Sequence, residues 1–384
     1  MAQTTLTDAE IDILINSHRP LLGGTIPEDI KERLGVTTVS GKYFLTDKPF
    51  VIETSEKIRD LGYTTSKYFL NKPGANGQIK GLNWNSEWNL TPNASFVEIV
   101  SHPYFVKALD CGQKRVVFNA GLPGTDLNRD DPDFSTARKD IYDLAVYLLK
   151  TYKSRDITFI IKNWEGDWVL RGTGVRSDVW MANDEAFRMR RIKNFVEWAR
   201  IRQEAVTQAR NDVQDTKAKI YYAIEVNLVM EAMRGITCLS NKLLPEVELD
   251  MVSWSSYDGM SDPRNLFQGI EYLRKQHRPT PYMKGEKYVF IGEAGIAERE
   301  VKYDISQRWD GFFGVIFALN VPVVINWELY CNEPVNSSEK DVFIKPSIED
   351  ELRGFWLIKP DGNMGITGIF WDKLLKNPGK KFPK

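Results

Sequence analysis

The chain has 384 residues, 42% of them hydrophobic and 12% aromatic, which is enough to bury a large core in one or two domains. Its 51 basic and 52 acidic residues nearly cancel, which excludes an overall field that would attract nucleic acid. Three scattered cysteines and three histidines, with no C-x-x-C or H-x-H pair, predict neither a disulfide framework nor a metal or cofactor site.

No segment is typical of a membrane span or a signal peptide. The longest apolar run, 312–325, is broken by Asn320 and Pro322 and is too short to cross a bilayer. The first residues, Met1-Ala-Gln-Thr-Thr, lack a basic end and an apolar stretch. Neither nucleic acid nor a membrane is therefore an expected partner. The compartment and the oligomeric state stay open, because a mature secreted or periplasmic form would begin in the same way.

Short β-branched or aromatic runs alternate with longer helical patterns, which is typical of a parallel sheet covered by crossover helices. Predicted strands lie at 35–39, 64–70, 115–119, 158–162, 220–226, 250–254, 288–292 and 323–327. Predicted helices lie at 48–61, 95–109, 135–153, 184–217, 227–239, 262–277 and 305–320. Eight strands with right-handed crossovers predict an α/β fold of the closed (β/α)8 barrel type, a TIM barrel.

The alternative architecture is a doubly wound open sheet, but no G-x-G-x-x-G or G-x-x-x-x-G-K-[ST] phosphate motif occurs in the sequence. No linker rich in Pro, Gly and Ser divides the chain, so we expect a single barrel domain over 35–376. We expect residues 1–34 to add helical decoration that closes the bottom of the barrel. The lysine-rich residues 377–384 are expected to fray.

Several predicted strands are apolar at consecutive positions and turn polar at their C-terminal ends. Consecutive apolar residues, as in Thr158-Phe-Ile-Ile, indicate burial on both faces. The C-terminal ends of barrel strands form the catalytic face, so the polar residues there are candidates for a site. These candidates are Asn119, Asn163, Glu165, Asn227, Tyr257, Glu293 and Trp327.

Two of these candidates are glutamates with the chemistry of a glycosidase pair. Glu165 is flanked by Trp164 and Trp168, whose rings can desolvate its carboxyl group, raise its pKa and contact a sugar. Glu293 ends an apolar strand between small residues that leave room for a substrate. Retaining hydrolysis needs two carboxyl groups about 5–5.5 Å apart. We expect Glu165 to be the acid/base and Glu293 the nucleophile; a buried ion pair with a barrel lysine or arginine is the structural alternative for Glu293.

Tryptophans are abundant near the same predicted face. Trp84 and Trp88 follow the second strand within a polar segment, Asn83 to Glu87, which favours contact with a sugar. Trp168, Trp180, Trp254 and Trp327 are assigned to the same face. Aromatic rings stack on the C–H surface of a pyranose, so a carbohydrate is the expected partner.

The pattern resembles clan A of the (β/α)8-barrel retaining glycoside hydrolases. In that clan an Asn-Glu pair ends strand four, a Glu ends strand seven, an aromatic residue or His near strand six contacts the nucleophile, and a Trp ends strand eight. Glu293, Tyr257 in Ser253-Trp-Ser-Ser-Tyr-Asp258 and Trp327 in Val324-Ile-Asn-Trp-Glu328 resemble the last three. The resemblance spans 35–330 and identifies no family within the clan. It implies double-displacement hydrolysis of the O-glycosidic bonds of a polysaccharide or oligosaccharide, without a cofactor.

Three features depart from the clan pattern. One residue separates Asn163 from Glu165, so a contact of Asn163 with a sugar 2-hydroxyl depends on the local register. No arginine is found at strand two, where Lys67 or Asn71 is the candidate substitute. Glu333, in Asn332-Glu-Pro, copies the acid motif after strand eight and is a rival acid. A barrel that binds carbohydrate without cleaving it is the alternative function.

Overall fold

The computed structural model describes residues 6–38, 43, 45–70, 90–91, 94–336 and 348–383. Eight parallel strands close into a barrel in chain order, with β8 paired to β1 through Leu34↔Val324 and Val36↔Asn326. The strands are β1 (Leu34–Thr37), β2 (Thr65–Phe69), β3 (Arg115–Asn119), β4 (Thr158–Lys162), β5 (Lys219–Val226), β6 (Met251–Ser255), β7 (Tyr288–Ala294) and β8 (Val324–Asn326). A separate parallel ladder joins Glu248–Leu249 to Arg278–Pro279. The predicted (β/α)8 barrel is confirmed.

Helices surround this barrel. In the described ranges they are α1 (Asp8–His18), α2 (Ile30–Arg33), α3 (Phe50–Asp60), α4 (Phe96–Ser101), α5 (Pro103–Leu109), α6 (Ser135–Thr151), α7 (Gly166–Arg171), α8 (Ser177–Ala182), α9 (Glu185–Asp212), α10 (Val229–Met233), α11 (Leu239–Lys242), α12 (Pro263–Gln276), α13 (Ile305–Ala318) and α14 (Ile366–Leu375). The helix predicted at 95–109 is two helices, because Pro103 cannot continue α4 and instead begins α5. None of the helices in these ranges is both long and apolar enough to cross a membrane.

The barrel interior is filled by two layers of different chemistry. The lower layer is apolar and consists of Val117, Ile160, Ala223, Met251, Phe290, Val323 and Ile325, together with Met283 from the segment before β7. Side chains alternate along a strand, so the next inward positions lie two residues further on. In β3 to β6 these positions hold Asn119, Lys162, Glu225 and Ser253, all of them buried. The interior therefore becomes polar toward the C-terminal ends of the strands.

Strand β7 contains a one-residue bulge at Gly292. Against β6, Trp254 pairs with Ile291 but Ser255 pairs with Glu293, so Gly292 is the extra residue. Phe290 faces the barrel interior. Strict alternation from Phe290 would turn Glu293 outward, toward the helices. The bulge returns the Glu293 side chain to the polar layer of the interior.

The N-terminal segment packs on two sides of the barrel. Helix α1 lies against α12 and α13, and Arg19 Nε of the following segment donates to Asp310 Oδ2 at 2.6 Å. Helix α2 lies where the barrel strands begin, since Arg33 Nη1 donates to the carbonyl oxygen of Val321 at 3.5 Å. Only the second part of residues 1–34 is therefore at the bottom of the barrel, where the sequence placed the whole segment.

The C-terminal residues up to 383 pack against the N-terminal segment and α14, whereas residues 377–384 were expected to fray. The Ile26 N–H donates to the Lys380 carbonyl oxygen at 2.9 Å, and the Gly379 N–H donates to the Ile26 carbonyl oxygen at 3.0 Å. The Phe382 ring lies 4.7 Å from the Phe370 ring of α14. One aromatic side chain and two backbone hydrogen bonds hold a segment that its lysine content alone indicated to be free.

We predict that Gly269→Ala in α12 destabilises the barrel by about 1–3 kcal/mol, although alanine favours a helix over glycine by about 1 kcal/mol. The added methyl group would overlap the Trp254 ring and lie 2.9 Å from Met230 Cε. Trp254 cannot retreat easily, because it is fully buried and its Nε1 donates to the Asn227 carbonyl oxygen and to Asp258 Oδ1. The free energy of unfolding in urea measures the effect. Gly311→Ala in α13 is the control; its methyl group would meet one Pro263 carbon at 3.0 Å. Equal stability of the two variants would contradict the prediction.

Candidate active site

Glu165 lies at the C-terminal mouth of the barrel, in a tight connection between β4 and α7. Its backbone is left-handed, with φ 46° and ψ 58°, which is uncommon for a residue other than glycine. Gly166 follows directly, and a Cβ atom there would overlap the carbonyl oxygen of Glu225 in β5. The absence of a side chain at Gly166 lets the connection turn close against β5. This turn keeps Glu165 beside the end of its own strand.

The residue before this turn is used differently from the expectation. Asn163 is fully buried. Its Nδ2 donates to the Glu225 carbonyl oxygen at 3.2 Å, and its Oδ1 accepts from the Glu225 N–H at 2.9 Å. Both polar groups of the amide are therefore bonded to the backbone of β5. The expected contact of Asn163 with a sugar is not supported by this geometry, because the inserted Trp164 occupies the position that faces the mouth.

Glu293 forms a buried ion pair with Lys67 of β2. Lys67 Nζ lies 2.9 Å from Glu293 Oε2 and also donates to the Gly292 carbonyl oxygen at 3.0 Å. Trp164 Nε1 donates to the same Oε2 atom at 3.3 Å. Burial raises the pKa of Glu293, and the positive charge of Lys67 opposes that rise. Lys67 therefore lies at strand two, where it was a candidate substitute for the arginine of the clan. It forms the buried ion pair that was the structural alternative for Glu293. Asn71, the other candidate substitute, lies outside the described residues.

Burial raises the pKa of Glu165 to about 8, and the negative charges of Glu293 and Glu225 act in the same direction. The carboxyl group of Glu165 is therefore mostly protonated at neutral pH. Strand ends β4, β5 and β7 thus bring three carboxyl groups into electrostatic range of one another. A protonated carboxyl beside a lysine-paired one is an arrangement suited to general acid catalysis.

An aromatic wall borders these acids. The rings of Trp164 and Trp327 are nearly parallel, with centroids 6.2 Å apart and an interplanar angle of 15°. Phe69 packs edge-on against both rings. Lys67 Nζ lies 5.3 Å from the Trp327 ring, which adds a cation–π contact. Trp327 was expected at the mouth, and of the two tryptophans beside Glu165 that were expected to contact a sugar, Trp164 lies at the mouth.

Two other candidates lie at the rim of the mouth. Tyr257 is 37% exposed, and its ring packs edge-on against Phe355. Although the residue is partly exposed, the protein atoms around its hydroxyl group raise the pKa of the Tyr257 phenol, and the charge of Glu293 raises it further. Glu333 Oε1 accepts from Trp327 Nε1 at 2.8 Å, while its other oxygen is paired with Arg353. Both carboxyl oxygens of Glu333 are therefore engaged by side chains of the protein.

Several predicted sugar contacts lie elsewhere. Trp168, in α7, packs against Leu228, Ala232 and Cys238, and the Arg171 guanidinium lies 5.4 Å from its ring. Trp180 and Trp254 are core residues with less than 2% of their surface exposed. Their indole N–H groups donate to backbone carbonyl oxygens, so both rings stabilise the fold. Trp84 and Trp88 lie outside the described residues.

Asn227 and Asp167 form a buried link between two loops of the mouth. Asn227 Oδ1 accepts from the Asp167 N–H at 3.3 Å. Asp167 Oδ2 accepts from the N–H groups of Asn227 at 2.8 Å and Leu228 at 3.4 Å, and its Oδ1 accepts from the Leu239 N–H at 2.7 Å. Asn227, expected to bind substrate, therefore fixes α7 to the segment after β5.

Asn119 is placed as the sequence predicted, at the end of β3 and facing a groove. The side chain is 4% exposed, and neither its Oδ1 nor its Nδ2 has a hydrogen-bond partner among the residues that the structure describes. The groove encloses about 560 Å³ and extends from Phe69 and Trp164 past Asn119 toward Gly121 and Asp126. A buried amide without partners is costly, so this one is available to bind a ligand or water.

Three interior residues of the site were not proposed from the sequence as site residues: Lys162, Glu225 and Ser253. Lys162 Nζ lies 2.5 Å from Glu225 Oε2, which also accepts from Ser253 Oγ at 2.8 Å. Each lies two residues after a member of the apolar interior layer, Ile160, Ala223 or Met251. Period-two alternation along β4, β5 and β6 was therefore the signal that would have placed all three inside the barrel.

No protein-family model and no curated protein sequence matches the chain. Among solved structures, an exo-beta-1,4-mannosidase from Opitutaceae bacterium strain TAV5 has a TM-score of 0.56 and 12% identity over 93% of this chain and 60% of that chain. The chain thus spans three fifths of that protein's length. An endo-beta-1,4-mannanase from Thermotoga petrophila has a TM-score of 0.54 and 12% identity, over 93% of this chain and 80% of that chain.

A family 1 β-glucosidase from Thermotoga maritima has a TM-score of 0.54 and 11% identity, over 92% of this chain and 98% of that chain. Structural matches at identities this low show a common fold only, so the chemistry has to be argued from the site. The resemblance to the barrels of clan A glycoside hydrolases, which the sequence motifs indicated, is confirmed at the level of the fold.

We predict that Lys67→Met destabilises the protein by about 3–5 kcal/mol at pH 8, because it leaves the Glu293 carboxylate buried without its cation. Without Lys67 the pKa of Glu293 rises further in the folded state. The folded variant then binds a proton more tightly than the unfolded chain, so its stability relative to the wild type falls as the pH rises. Urea unfolding at pH 5 and pH 8 measures the difference, which is expected to be larger at pH 8.

The control for this prediction is Lys139→Met, which removes an exposed lysine paired with Asp143 on α6. An exposed pair contributes little, so the stability of this variant is expected to stay near that of the wild type at both pH values. A stability loss for Lys67→Met that is the same at pH 5 and pH 8 would contradict the prediction.

Proposed function

We propose that the chain is a retaining glycoside hydrolase that cleaves O-glycosidic bonds of a polysaccharide or oligosaccharide by double displacement. The observation that carries the proposal is the pair of glutamates at the mouth of the barrel. Glu165 has a pKa raised to about 8, while Glu293 is held by Lys67 and Trp164. An acid that retains its proton next to a fixed carboxylate fits the acid and nucleophile roles of a retaining enzyme, which also needs the two carboxyl groups about 5–5.5 Å apart.

In the first step Glu293 attacks the anomeric carbon. Lys67 and Trp164 both donate to Oε2, and among the described residues no hydrogen bond to Oε1 is present. Oε1 is therefore the oxygen that forms the bond to the anomeric carbon. As the bond to the leaving oxygen breaks, the proton of Glu165 passes to that oxygen. Lys67 stabilises the carboxylate before attack and fixes its direction.

In the second step Glu165 acts as a base. The charge of Glu293 helps to raise the pKa of Glu165, and this charge is lost once Glu293 carries the glycosyl group as an ester. The pKa of Glu165 then falls, and the carboxylate accepts a proton from water. The water oxygen bonds to the anomeric carbon, and Glu293 leaves as a carboxylate. The configuration at that carbon is retained after two inversions.

The walls of the mouth fit a sugar better than a charged substrate. Trp164 and Trp327 present rings that can stack on a pyranose, and Asn119 presents an amide with unused donor and acceptor groups. The groove beyond Asn119 has room for a further part of an extended substrate. We assign Trp164, Trp327, Asn119 and Tyr257 to substrate binding. Trp84 and Trp88 stay candidates from the sequence.

We predict that Glu293→Gln lowers turnover by at least about 10³-fold while the protein stays folded, because a neutral amide cannot form the glycosyl ester. Release of reducing ends from a polysaccharide panel, beginning with β-1,4-mannan and β-glucosides, measures turnover. A 2-fluoro glycosyl donor should label the wild type at Glu293, as mass spectrometry of the peptides will detect.

The control is Glu197→Gln, an exposed acid on α9, which is expected to keep full activity and labelling. Full activity of Glu293→Gln would contradict the assignment of the nucleophile. Sugar binding without turnover or labelling of the wild type would instead indicate a barrel that only binds carbohydrate.

We predict that kcat/KM falls about tenfold per pH unit above about pH 8, because Glu165 must be protonated to assist departure and loses its proton there. Glu165→Gln should remove this limb of the profile and retain more activity on substrates whose leaving group needs no proton. The pH dependence of initial rates, measured for both proteins with an aryl glycoside, tests this assignment. If the limb persists in Glu165→Gln and disappears in Glu333→Gln, the rival acid Glu333 replaces Glu165.

A further inference from the structure

A third carboxylate, Glu225 of β5, lies directly behind the acid Glu165. The side chain is fully buried in the polar layer of the barrel. Three donors converge on its two oxygens. Oε1 accepts from the Glu165 N–H at 3.1 Å, while Oε2 accepts from Ser253 Oγ at 2.8 Å and from Lys162 Nζ. Glu225 therefore joins β4, β5, β6 and the turn that carries Glu165.

This donor set favours an ionised side chain at position 225. A carboxylate accepts hydrogen bonds at both oxygens, whereas a protonated acid or an amide must turn one donor toward the site. Lys162 donates only, and the Glu165 N–H donates only. An amide would turn its NH2 group toward the Glu165 N–H or toward Lys162, neither of which can accept. A protonated acid could donate only to the Ser253 hydroxyl, which would then give up its own hydrogen bond to Glu225. The positive charge of Lys162 keeps Glu225 ionised, and the pKa of Glu225 is lowered by Lys162 and Lys67 against the effect of burial.

The space for this carboxylate is provided by the bulge in β7. A Cβ atom at Gly292 would lie 2.7 Å from Glu225 Oε2 and would overlap Ser253 Oγ. Glycine at this position thus leaves room for the Glu225 carboxylate and the Ser253 hydroxyl inside the barrel. The same bulge turns Glu293 inward, so one backbone irregularity places both the nucleophile and the group behind the acid.

The contact with the Glu165 N–H fixes an uncommon backbone. Glu165 is left-handed, and the Gly166 that follows lies against the Glu225 carbonyl oxygen. Of the charged groups that face the Glu165 carboxyl, Glu293, Glu225 and Glu333 oppose its ionisation, and Lys67 favours it. Lys162 faces Glu225 from β4 and is the cation nearest to it. Glu225 thus acts on Glu165 both through the backbone and through its charge.

We infer that Glu225 is a positioning residue for the acid: it holds the Glu165 peptide in its left-handed turn and places a fixed negative charge behind the Glu165 carboxyl group. The inference rests on the proposed function, in which Glu165 donates the proton. Glu225 does not touch substrate, because it is buried beneath the turn.

The test is the titration of Glu165 itself. Carboxyl carbons of glutamate are labelled with ¹³C, and the Glu165 signal is assigned by its absence in Glu165→Gln. Its midpoint is compared between the wild type and Glu225→Gln. We expect the midpoint to move to lower pH by about one unit in the variant. The basic limb of kcat/KM should move with it, and kcat should fall while KM stays within about twofold.

Two further variants separate charge from stability. Lys162→Met/Glu225→Gln removes both charges of the buried pair, which folded proteins tolerate better than a lone buried lysine. This double variant is expected to keep the lowered midpoint of Glu165, and it replaces Glu225→Gln in the test if the single variant does not fold. Asp250→Asn breaks another buried pair, with Arg210, at the opposite end of the barrel. It is expected to lose stability and leave the Glu165 midpoint unchanged.

A midpoint that is the same in the wild type and in both Glu225 variants overturns the inference. A shifted midpoint in a protein without hydrolase activity overturns the proposed function and supports the coupling of Glu225 to Glu165. Conversely, an active enzyme whose midpoint and basic limb are unchanged in Glu225→Gln supports the proposed function and overturns the role of Glu225.

Discussion

Two lysine–glutamate pairs, Lys67–Glu293 and Lys162–Glu225, lie buried in the polar layer of the barrel, and the geometry of the mouth depends on them. Each charge is buried, and removing it from water costs free energy. The contact with its partner and the further hydrogen bonds to the two carboxylates offset that cost. The first pair connects β2 to β7 across the interior, and the second connects β4 to β5. Together they fill with ions a volume that most barrels fill with aliphatic side chains.

Much of the architecture could be predicted from the sequence, because burial on both faces leaves a clear pattern. The bounds of β3 and β4 agree with the predicted 115–119 and 158–162, where apolar residues run consecutively between polar ends. The polar C-terminal end of the third predicted strand also placed Asn119 at the mouth. The splitting of the predicted helix at 95–109 follows from Pro103, whose ring cannot occupy a helix interior. Local pattern was sufficient wherever the neighbours in space are also neighbours in the chain.

The remaining features depend on contacts that no local pattern encodes. Lys67 meets a partner 226 residues further along the chain. Trp164 precedes Glu165 by one residue and Trp168 follows it by three, yet the left-handed turn at Glu165 sends the Trp164 ring to the mouth and the Trp168 ring to an outer cluster. Asn163 was assigned to a sugar because its partner, the backbone of β5, is invisible in the sequence. The bulge at Gly292 is likewise set by two neighbouring strands.

The carboxylate of Asp167 accepts three backbone N–H groups and ties α7 to the segments that follow β5. Loops at a barrel mouth commonly have to become ordered around a ligand, and that ordering reduces affinity through lost conformational entropy. On this side of the mouth the backbone is already in one arrangement before any ligand arrives. A ligand that binds there meets a preformed backbone, and selectivity between ligands follows from shape more than from adaptation of the loops.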